Sequence, residues 1–193
     1  GASQGLTTAA GCTPCDAGYY CETRNLTAVT GPCDAGFYCP AGSSNSQAFP
    51  CPAGTWSSAT DLYSAAQCNI CPLGKFCDAG SASPLRCPAG TFRNIVGATG
   101  ATQCFKCLGG FSCSIGTVDP NPCAAGFYSD LGSSDCNVCS PGFHCSNVTT
   151  SREVMLKQPC PAGTLCPSGV AITPSKFALP CPPGFLCPTA GLT

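Results

Sequence analysis

The sequence predicts a fold of small disulfide-rich repeats, an elongated rod of irregular loops and short β-hairpins with little or no helix. Three observations carry this. Cysteine occupies 21 of 193 positions, a density found in disulfide scaffolds. Gly (23) and Pro (19) are both abundant, which argues against long helices and broad sheets. A phrase of the form Cys-x-x-Gly, followed within two residues by a bulky apolar side chain, returns along the chain.

Ten cysteines open such a phrase: Cys15, Cys33, Cys51, Cys71, Cys87, Cys107, Cys123, Cys139, Cys160 and Cys181. The bulky residues that follow include Tyr19, Phe37, Trp56, Phe76, Phe92, Phe111, Phe127, Phe143, Leu165 and Phe185. Short phrases close after six residues, as in CPLGKFC (71–77). Long phrases run to a more distant cysteine, as in CPAGTWSSATDLYSAAQC (51–68), CPAGTFRNIVGATGATQC (87–104) and CAAGFYSDLGSSDC (123–136). Each long phrase joins a short one through a Cys-x-x-Cys step. The expected divisions are a partial repeat at 1–32, a short one at 33–50, full repeats at 51–86, 87–122 and 123–159, and short ones at 160–180 and 181–193.

Each residue type has a physical reason to be in the phrase. Gly three places after cysteine permits a positive φ and a tight turn, with no Cβ to clash against the sulfur bridge. The following aromatic is expected to lie over the disulfide as a miniature core. Pro52, Pro72, Pro88, Pro161 and Pro182 stiffen the start of the turn. Thr55–Trp56 and Thr91–Phe92 are expected to form one arm of a hairpin whose loop is the Ser/Ala/Gly-rich middle of the long phrase.

The cysteines admit three chemistries. Cys-x-x-Cys steps at 12/15, 68/71, 104/107 and 136/139 resemble zinc knuckles. Each, however, is followed by a further Cys-x5-Cys that zinc does not explain, and His144 is the sole histidine. A redox-active Cys-x-x-Cys belongs at a helix N-terminus, and no helix is expected after these steps. Structural disulfides are the remaining reading, with no cofactor and no metal expected.

Short phrases stand alone in the flanks, so pairing within the phrase is expected: Cys33–Cys39, Cys160–Cys166 and Cys181–Cys187, and by analogy Cys15–Cys21, Cys71–Cys77, Cys107–Cys113 and Cys139–Cys145. The long phrases then close as Cys51–Cys68, Cys87–Cys104 and Cys123–Cys136, leaving Cys12 unpaired. Cys12 holds the place that ends a long phrase, so its partner is expected upstream of Gly1 in a longer secreted or membrane-anchored polypeptide. A second scheme stays open, pairing 21–33, 39–51, 77–87, 113–123, 145–160 and 166–181 and closing the Cys-x-x-Cys steps on themselves with some strain. In the first scheme a short staple contributes about 2–2.5 kcal/mol and a long one about 3 kcal/mol by loop-closure entropy. Each repeat is then expected to be stable nearly independently of the others.

So many cysteines imply an oxidising, extracellular or cell-surface location. The sequons Asn25-Leu26-Thr27 and Asn147-Val148-Thr149 mark Asn25 and Asn147 for N-linked glycans. Gly42–Ser46 and Thr173-Pro174-Ser175 offer hydroxyls for O-linked ones. No apolar run approaches the roughly 20 residues of a membrane span, so this segment is not expected to enter a bilayer. Eight basic and nine acidic residues are scattered singly, which leaves no basic stripe for nucleic acid. With 9% of residues charged, the surface is weakly solvated and suited to lie under glycan or against neighbouring chains.

The phrase CPAGT…CxxCPxGxxC resembles the ephrin-receptor-like cysteine-rich repeat, an extracellular module similar in style to EGF-like and tumour necrosis factor receptor-like modules. The resemblance covers 51–159 well and the flanks in part. It implies tandem arrays of the kind found in giant surface or filament proteins of protists and algae. The extra short phrases at both ends depart from that pattern, and the calcium-binding EGF signature is absent.

No catalytic constellation is expected. His144, the one candidate base, sits where other phrases place Tyr20, Tyr38, Phe76, Ser112, Leu165 and Leu186. Asp16, Asp34 and Asp78 are read as turn caps that accept backbone N–H bonds. The expected function is a non-catalytic structural segment that packs into an extracellular filament, a mastigoneme-like appendage or a matrix, against copies of itself or other chains of that assembly. The alternative is the stalk or ligand-binding region of a receptor or adhesin.

Overall fold

The computed structural model describes residues 13–146, 150–174 and 179–191. Its regular structure is a series of two-residue strands paired as antiparallel hairpins: β1 (Tyr19–Tyr20) with β2 (Gly31–Pro32), β3 (Phe37–Tyr38) with β4 (Phe49–Pro50), and β5 (Thr55–Trp56) with β6 (Asn69–Ile70). The series continues with β7 (Lys75–Phe76) and β8 (Leu85–Arg86), β9 (Thr91–Phe92) and β10 (Phe105–Lys106), β11 (Phe111–Ser112) and β12 (Asn121–Pro122), and β13 (Phe127–Tyr128) and β14 (Asn137–Val138). Single bridges, Phe143 to Pro159 and Thr164 to Pro180, mark the same pairing in the phrases that follow.

The local rule is constant. The fourth and fifth residues after an opening cysteine pair with the two residues before the next one, as in Tyr19↔Pro32 and Trp56↔Asn69. The reversal just before the first strand needs a left-handed residue, and glycine supplies it, with φ +86° at Gly54 and +87° at Gly126. Where the phrase reads Cys-Pro-Ala-Gly-Thr, the threonine hydroxyl closes the turn by donating to the proline carbonyl: Thr55 to Pro52, Thr91 to Pro88 and Thr164 to Pro161, each at 2.6 Å.

The chain forms two compact units. One runs up to Arg86 and includes Ile95–Gln103; the other comprises Cys87–Asn94 and the chain from Cys104 onward. Within each unit, successive phrases exchange backbone hydrogen bonds in a repeating set. An opening cysteine N–H donates to the previous phrase's glycine carbonyl, as in Cys33 to Gly18, Cys71 to Gly54, Cys107 to Gly90 and Cys139 to Gly126. In return that glycine's N–H donates to the carbonyl six residues after the opening cysteine: Gly18 to Cys39, Gly54 to Cys77, Gly90 to Cys113 and Gly126 to Cys145, at 2.7–2.8 Å. Within each unit the repeats are therefore tied to their neighbours by backbone pairing as well as by chain connectivity.

The glycine is also pressed against the next phrase but one. A Cβ built on Gly18 would lie 2.5 Å from the Asp61 carbonyl oxygen, one on Gly54 2.7 Å from that of Gly97, and one on Gly126 2.8 Å from that of Gly169. Gly36 against Gly80 and Gly90 against Gly132 are closer still. This corrects the expectation that the glycine spares a clash with the sulfur bridge, since what it admits is another backbone.

Sulfur supplies most of the core. Cys33, Cys39, Cys51, Cys71, Cys77, Cys87, Cys107, Cys113, Cys139, Cys145, Cys160 and Cys166 are fully buried. The aromatics cover this core in part: Tyr128 and Phe143 pack over Cys139, Cys145 and Met155, while Tyr38 stacks on Phe49 at 5.5 Å. The one α-helix among the described residues, α1 (Arg152–Leu156), buries Met155 against that cluster. Ser151 starts it by accepting a hydrogen bond from the Val154 N–H on its side chain.

The stacking contact is separable from the turn. Gly54→Ala and Gly163→Ala both force alanine into a left-handed φ, +86° and +83°, at about 1–3 kcal/mol each. Only Gly54→Ala also drives a methyl into a backbone, because nothing lies within 4 Å of a Cβ at Gly163. Calorimetry of the oxidised variants is expected to show a clearly larger loss for Gly54→Ala; equal losses would mean that the close approach is slack.

Candidate functional site

Disulfides join Cys15–Cys21, Cys33–Cys39, Cys51–Cys68, Cys71–Cys77, Cys87–Cys104, Cys107–Cys113, Cys123–Cys136, Cys139–Cys145, Cys160–Cys166 and Cys181–Cys187. Their Cα atoms are 5.7–6.3 Å apart, within the usual span of the bond. The second pairing scheme does not occur. Cys12 lies outside the described residues.

Three of the four Cys-x-x-Cys steps turn out to be strands. Asn69–Ile70, between Cys68 and Cys71, is β6; Phe105–Lys106 is β10 and Asn137–Val138 is β14. An extended backbone rises about 3.3 Å per residue, so two cysteines three residues apart sit about 10 Å apart, beyond disulfide reach. The step is a hairpin's return arm with a different staple at each end. Among the described residues, no group of three or more His, Cys, Asp or Glu side chains is placed to hold a metal ion.

A second turn was missed. Four closing cysteines begin a Cys-x-x-Gly of their own, in CPAGS (39–43), CDAGS (77–81), CSIGT (113–117) and CPSGV (166–170). The recurrence was visible in the sequence, but no aromatic follows to draw attention to it. These glycines reach back to the preceding phrase: Gly42 N–H donates to the Cys15 carbonyl, Gly80 to Cys51, Gly116 to Cys87 and Gly169 to Cys139. In long phrases the loop supplies the equivalent turn through Gly97 to Cys71 and Gly132 to Cys107. The carbonyl after the turn also accepts from the residue six places into the previous phrase, as in Cys21 N–H to Ser43, Cys77 to Ala98 and Cys113 to Ser133.

Long phrases place Ser57, Arg93 and Ser129 where short ones place the closing cysteine. Ser57 and Ser129 are buried. Ser129 replaces the lost sulfur bridge with hydrogen bonds, donating its hydroxyl to the Phe111 carbonyl at 2.8 Å and accepting from Gly110 N–H at 2.9 Å.

The polar residues singled out in the sequence serve the turns. Asp16 and Asp34 accept from Tyr19 N–H and Phe37 N–H through their main-chain carbonyls. The Asp34 carboxylate instead accepts from the Ser46 hydroxyl and the Gln47 amide, at 3.0 and 2.8 Å. Asp78 likewise uses its main-chain carbonyl, which receives Ser81 N–H and the Ser81 hydroxyl. All three aspartates thus accept a backbone N–H at a turn, and do so through the main-chain carbonyl. Asn25 is exposed in the β1–β2 loop with φ +63°, the one non-glycine residue in the left-handed region among those described. Asn147 and Ser175 lie outside the described residues. In the Gly42–Ser46 loop Ser43 is buried and Ser44 exposed.

His144 is half-buried, its N–H donating to the Gln158 carbonyl and its Nδ1 lying 3.3 Å from the Ser146 hydroxyl. Burial holds its pKa below the ordinary histidine value. Arg152 pairs with Asp130 at 3.4 Å beside an open depression of about 430 Å3 lined by Leu108, Gly109, Ser129, Leu131, Ser151 and Glu153 as well. Both partners of that ion pair are largely solvated, so it contributes little stability. Lys157 bonds Glu153 at 2.8 Å and holds its carboxyl below the usual range.

No helix is long and apolar enough to cross a membrane among the described residues. Compared with known proteins, the chain matches no family model and no curated protein. The fold and the bonds together define a class: a disulfide-stapled array of small hairpins, the product of an oxidising compartment.

A depressed histidine pKa fixes the sign of one pH effect. The unfolded chain takes up a proton near the ordinary value while the folded chain resists it, so stability is lost as pH falls from about 7 toward the folded pKa and levels off below it. Denaturant midpoints between pH 7.5 and 4.5 should show this fall, and His144→Gln should remove it.

Proposed function

We propose that the chain is a non-catalytic structural segment of a large secreted or cell-surface protein, one that packs into an extracellular filament, a surface appendage of the mastigoneme type, or a matrix. The observation that carries this is repetition. Within each unit the same backbone bonds recur from phrase to phrase, as in Cys33 to Gly18, Cys71 to Gly54, Cys107 to Gly90 and Cys139 to Gly126. On this reading the recurring framework serves a structural role rather than a chemical one. The spacing that resembles ephrin-receptor-like modules supports the same reading.

The surface is consistent with lateral packing against copies of the chain or other chains of the assembly. Return strands present Phe49, Ile70, Leu85, Phe105 and Val138 to solvent, at 44–65% exposure, in a chain with only 17 charged residues (eight basic, nine acidic). Asn25 stands exposed on a loop, suited to carry an N-linked glycan. On this reading the chain needs no cofactor, binds no nucleic acid and does not insert into a bilayer.

A second reading is favoured by one feature. Phrase 139–159 alone among the described residues carries an α-helix, with a depression and an Arg152–Asp130 pair beside it. A receptor or adhesin stalk would use such a singular unit to engage a ligand.

Electron microscopy of the native, unreduced protein separates the two. The structural reading expects the array inside an ordered fibre, contacted along several repeats; an isolated stalk beneath a globular head would sink it.

A further inference from the structure

We infer that the disulfides fall into two classes by access, and that the outer bonds of two long phrases, Cys51–Cys68 and Cys123–Cys136, are exchange sites through which an extracellular dithiol reductant loosens the array while the five sealed short staples between and beside them stay closed. The terminal short pairs Cys15–Cys21 and Cys181–Cys187, with Cys21, Cys181 and Cys187 partly exposed, belong to the accessible class. The inference concerns the bonds alone and does not depend on which assembly the chain serves.

Burial is the first argument. In the short phrases 33–39, 71–77, 107–113, 139–145 and 160–166, both cysteines are fully sealed. In the long phrases the opening cysteine is sealed (Cys51 at 0%, Cys123 at 1%), but Cys68 and Cys136 are partly exposed. Each leads into a return strand, β6 or β14, whose residues are themselves exposed. Thiol–disulfide exchange requires a thiolate to reach one sulfur, so access decides which bond reacts.

The chemistry balances. A reductant thiolate attacks the Cys68 sulfur, the disulfide breaks, and the electron pair leaves on the Cys51 sulfur, which takes a proton. The reductant's second thiol then displaces the mixed disulfide and releases Cys68 as a thiol. The reductant ends as its own disulfide and the protein as a dithiol. The same steps apply at Cys136 and Cys123.

The ring that opens carries the turn that grips the preceding phrase. Within the ring closed by Cys51–Cys68, the Leu62 carbonyl accepts from Cys39 N–H, and the Asp61 backbone presses on Gly18. Within the ring closed by Cys123–Cys136, Gly132 N–H donates to the Cys107 carbonyl, and the Ser133 carbonyl accepts from Cys113 N–H. Opening the ring frees these loop contacts, while the Gly54 N–H to Cys77 bond, made by the turn at the ring's start rather than by its loop, faces the sealed Cys71–Cys77 staple of the next phrase. The result is a compliant joint at a long phrase between rigid short ones.

Graded dithiothreitol treatment of the intact oxidised protein, with trapping by isotope-coded iodoacetamide and peptide mass spectrometry, tests the order. Cys51, Cys68, Cys123 and Cys136 are expected to label at roughly tenfold less reductant than the five sealed short pairs. Labelling of the sealed pairs together with or before them overturns the proposal. The joint is tested in the Cys51→Ser/Cys68→Ser double variant by hydrogen exchange. The Cys39 amide is expected to exchange at least about tenfold faster while the Gly54 amide keeps its protection. An unchanged Cys39 amide overturns the joint, and loss of protection at both amides overturns the claim that loosening stays local.

Discussion

The fold depends on one exchange of main-chain hydrogen bonds. A Cys-x-x-Gly turn leaves its glycine N–H and C=O without partners inside the phrase, and within each unit the next phrase supplies both, through the carbonyl six residues after its opening cysteine and the N–H of that cysteine, as for Gly18, Gly54, Gly90 and Gly126. The disulfide pins the two ends of the short phrase so that these groups stay aimed at their partners. Since the exchange is main chain to main chain, the side chains between are free to vary. The position after the glycine accordingly holds Tyr19, Phe37, Thr55, Lys75 and Phe111 without a change of architecture.

This arrangement takes the place of a hydrophobic core. In most domains of this length, burial of leucine, isoleucine and phenylalanine offsets the entropy of ordering the chain. Here the interior is largely sulfur, and aromatic rings are half-exposed lids rather than fillings. Cross-links reduce the freedom of the unfolded chain, and the ladder between turns satisfies backbone groups that a core of regular sheets would otherwise satisfy. The exceptions fit the rule: where a long phrase sends its staple elsewhere, Ser129 closes the gap with hydroxyl bonds.

Much of the architecture was legible because spacing is the message. Short hairpins, few helices and the Thr55–Trp56 and Thr91–Phe92 arms follow from turn residues at fixed offsets. Other features were hidden for physical reasons. The return arms lie within Cys-x-x-Cys, where two residues are too few to show any period and the cysteines suggest chemistry instead. The reason for the phrase glycine is a carbonyl about two phrases away, such as Gly97 for Gly54, and no local pattern announces it. The second glycine turns were in plain view but lacked the aromatic marker. The helix at Arg152–Leu156 was signalled only by a short run free of Gly and Pro behind Ser151, and its stability comes from Met155 on a disulfide rather than from propensity.

The central claim is that phrases are held to one another by main-chain bonds, and native-state hydrogen exchange on the oxidised protein tests it most directly. The account predicts strong protection, similar from phrase to phrase, at the interphrase donors Cys33, Gly54, Cys71, Gly126 and Cys139. If those amides exchange near their intrinsic rates while hairpin amides within a phrase stay protected, the repeats are independent beads and the account is wrong.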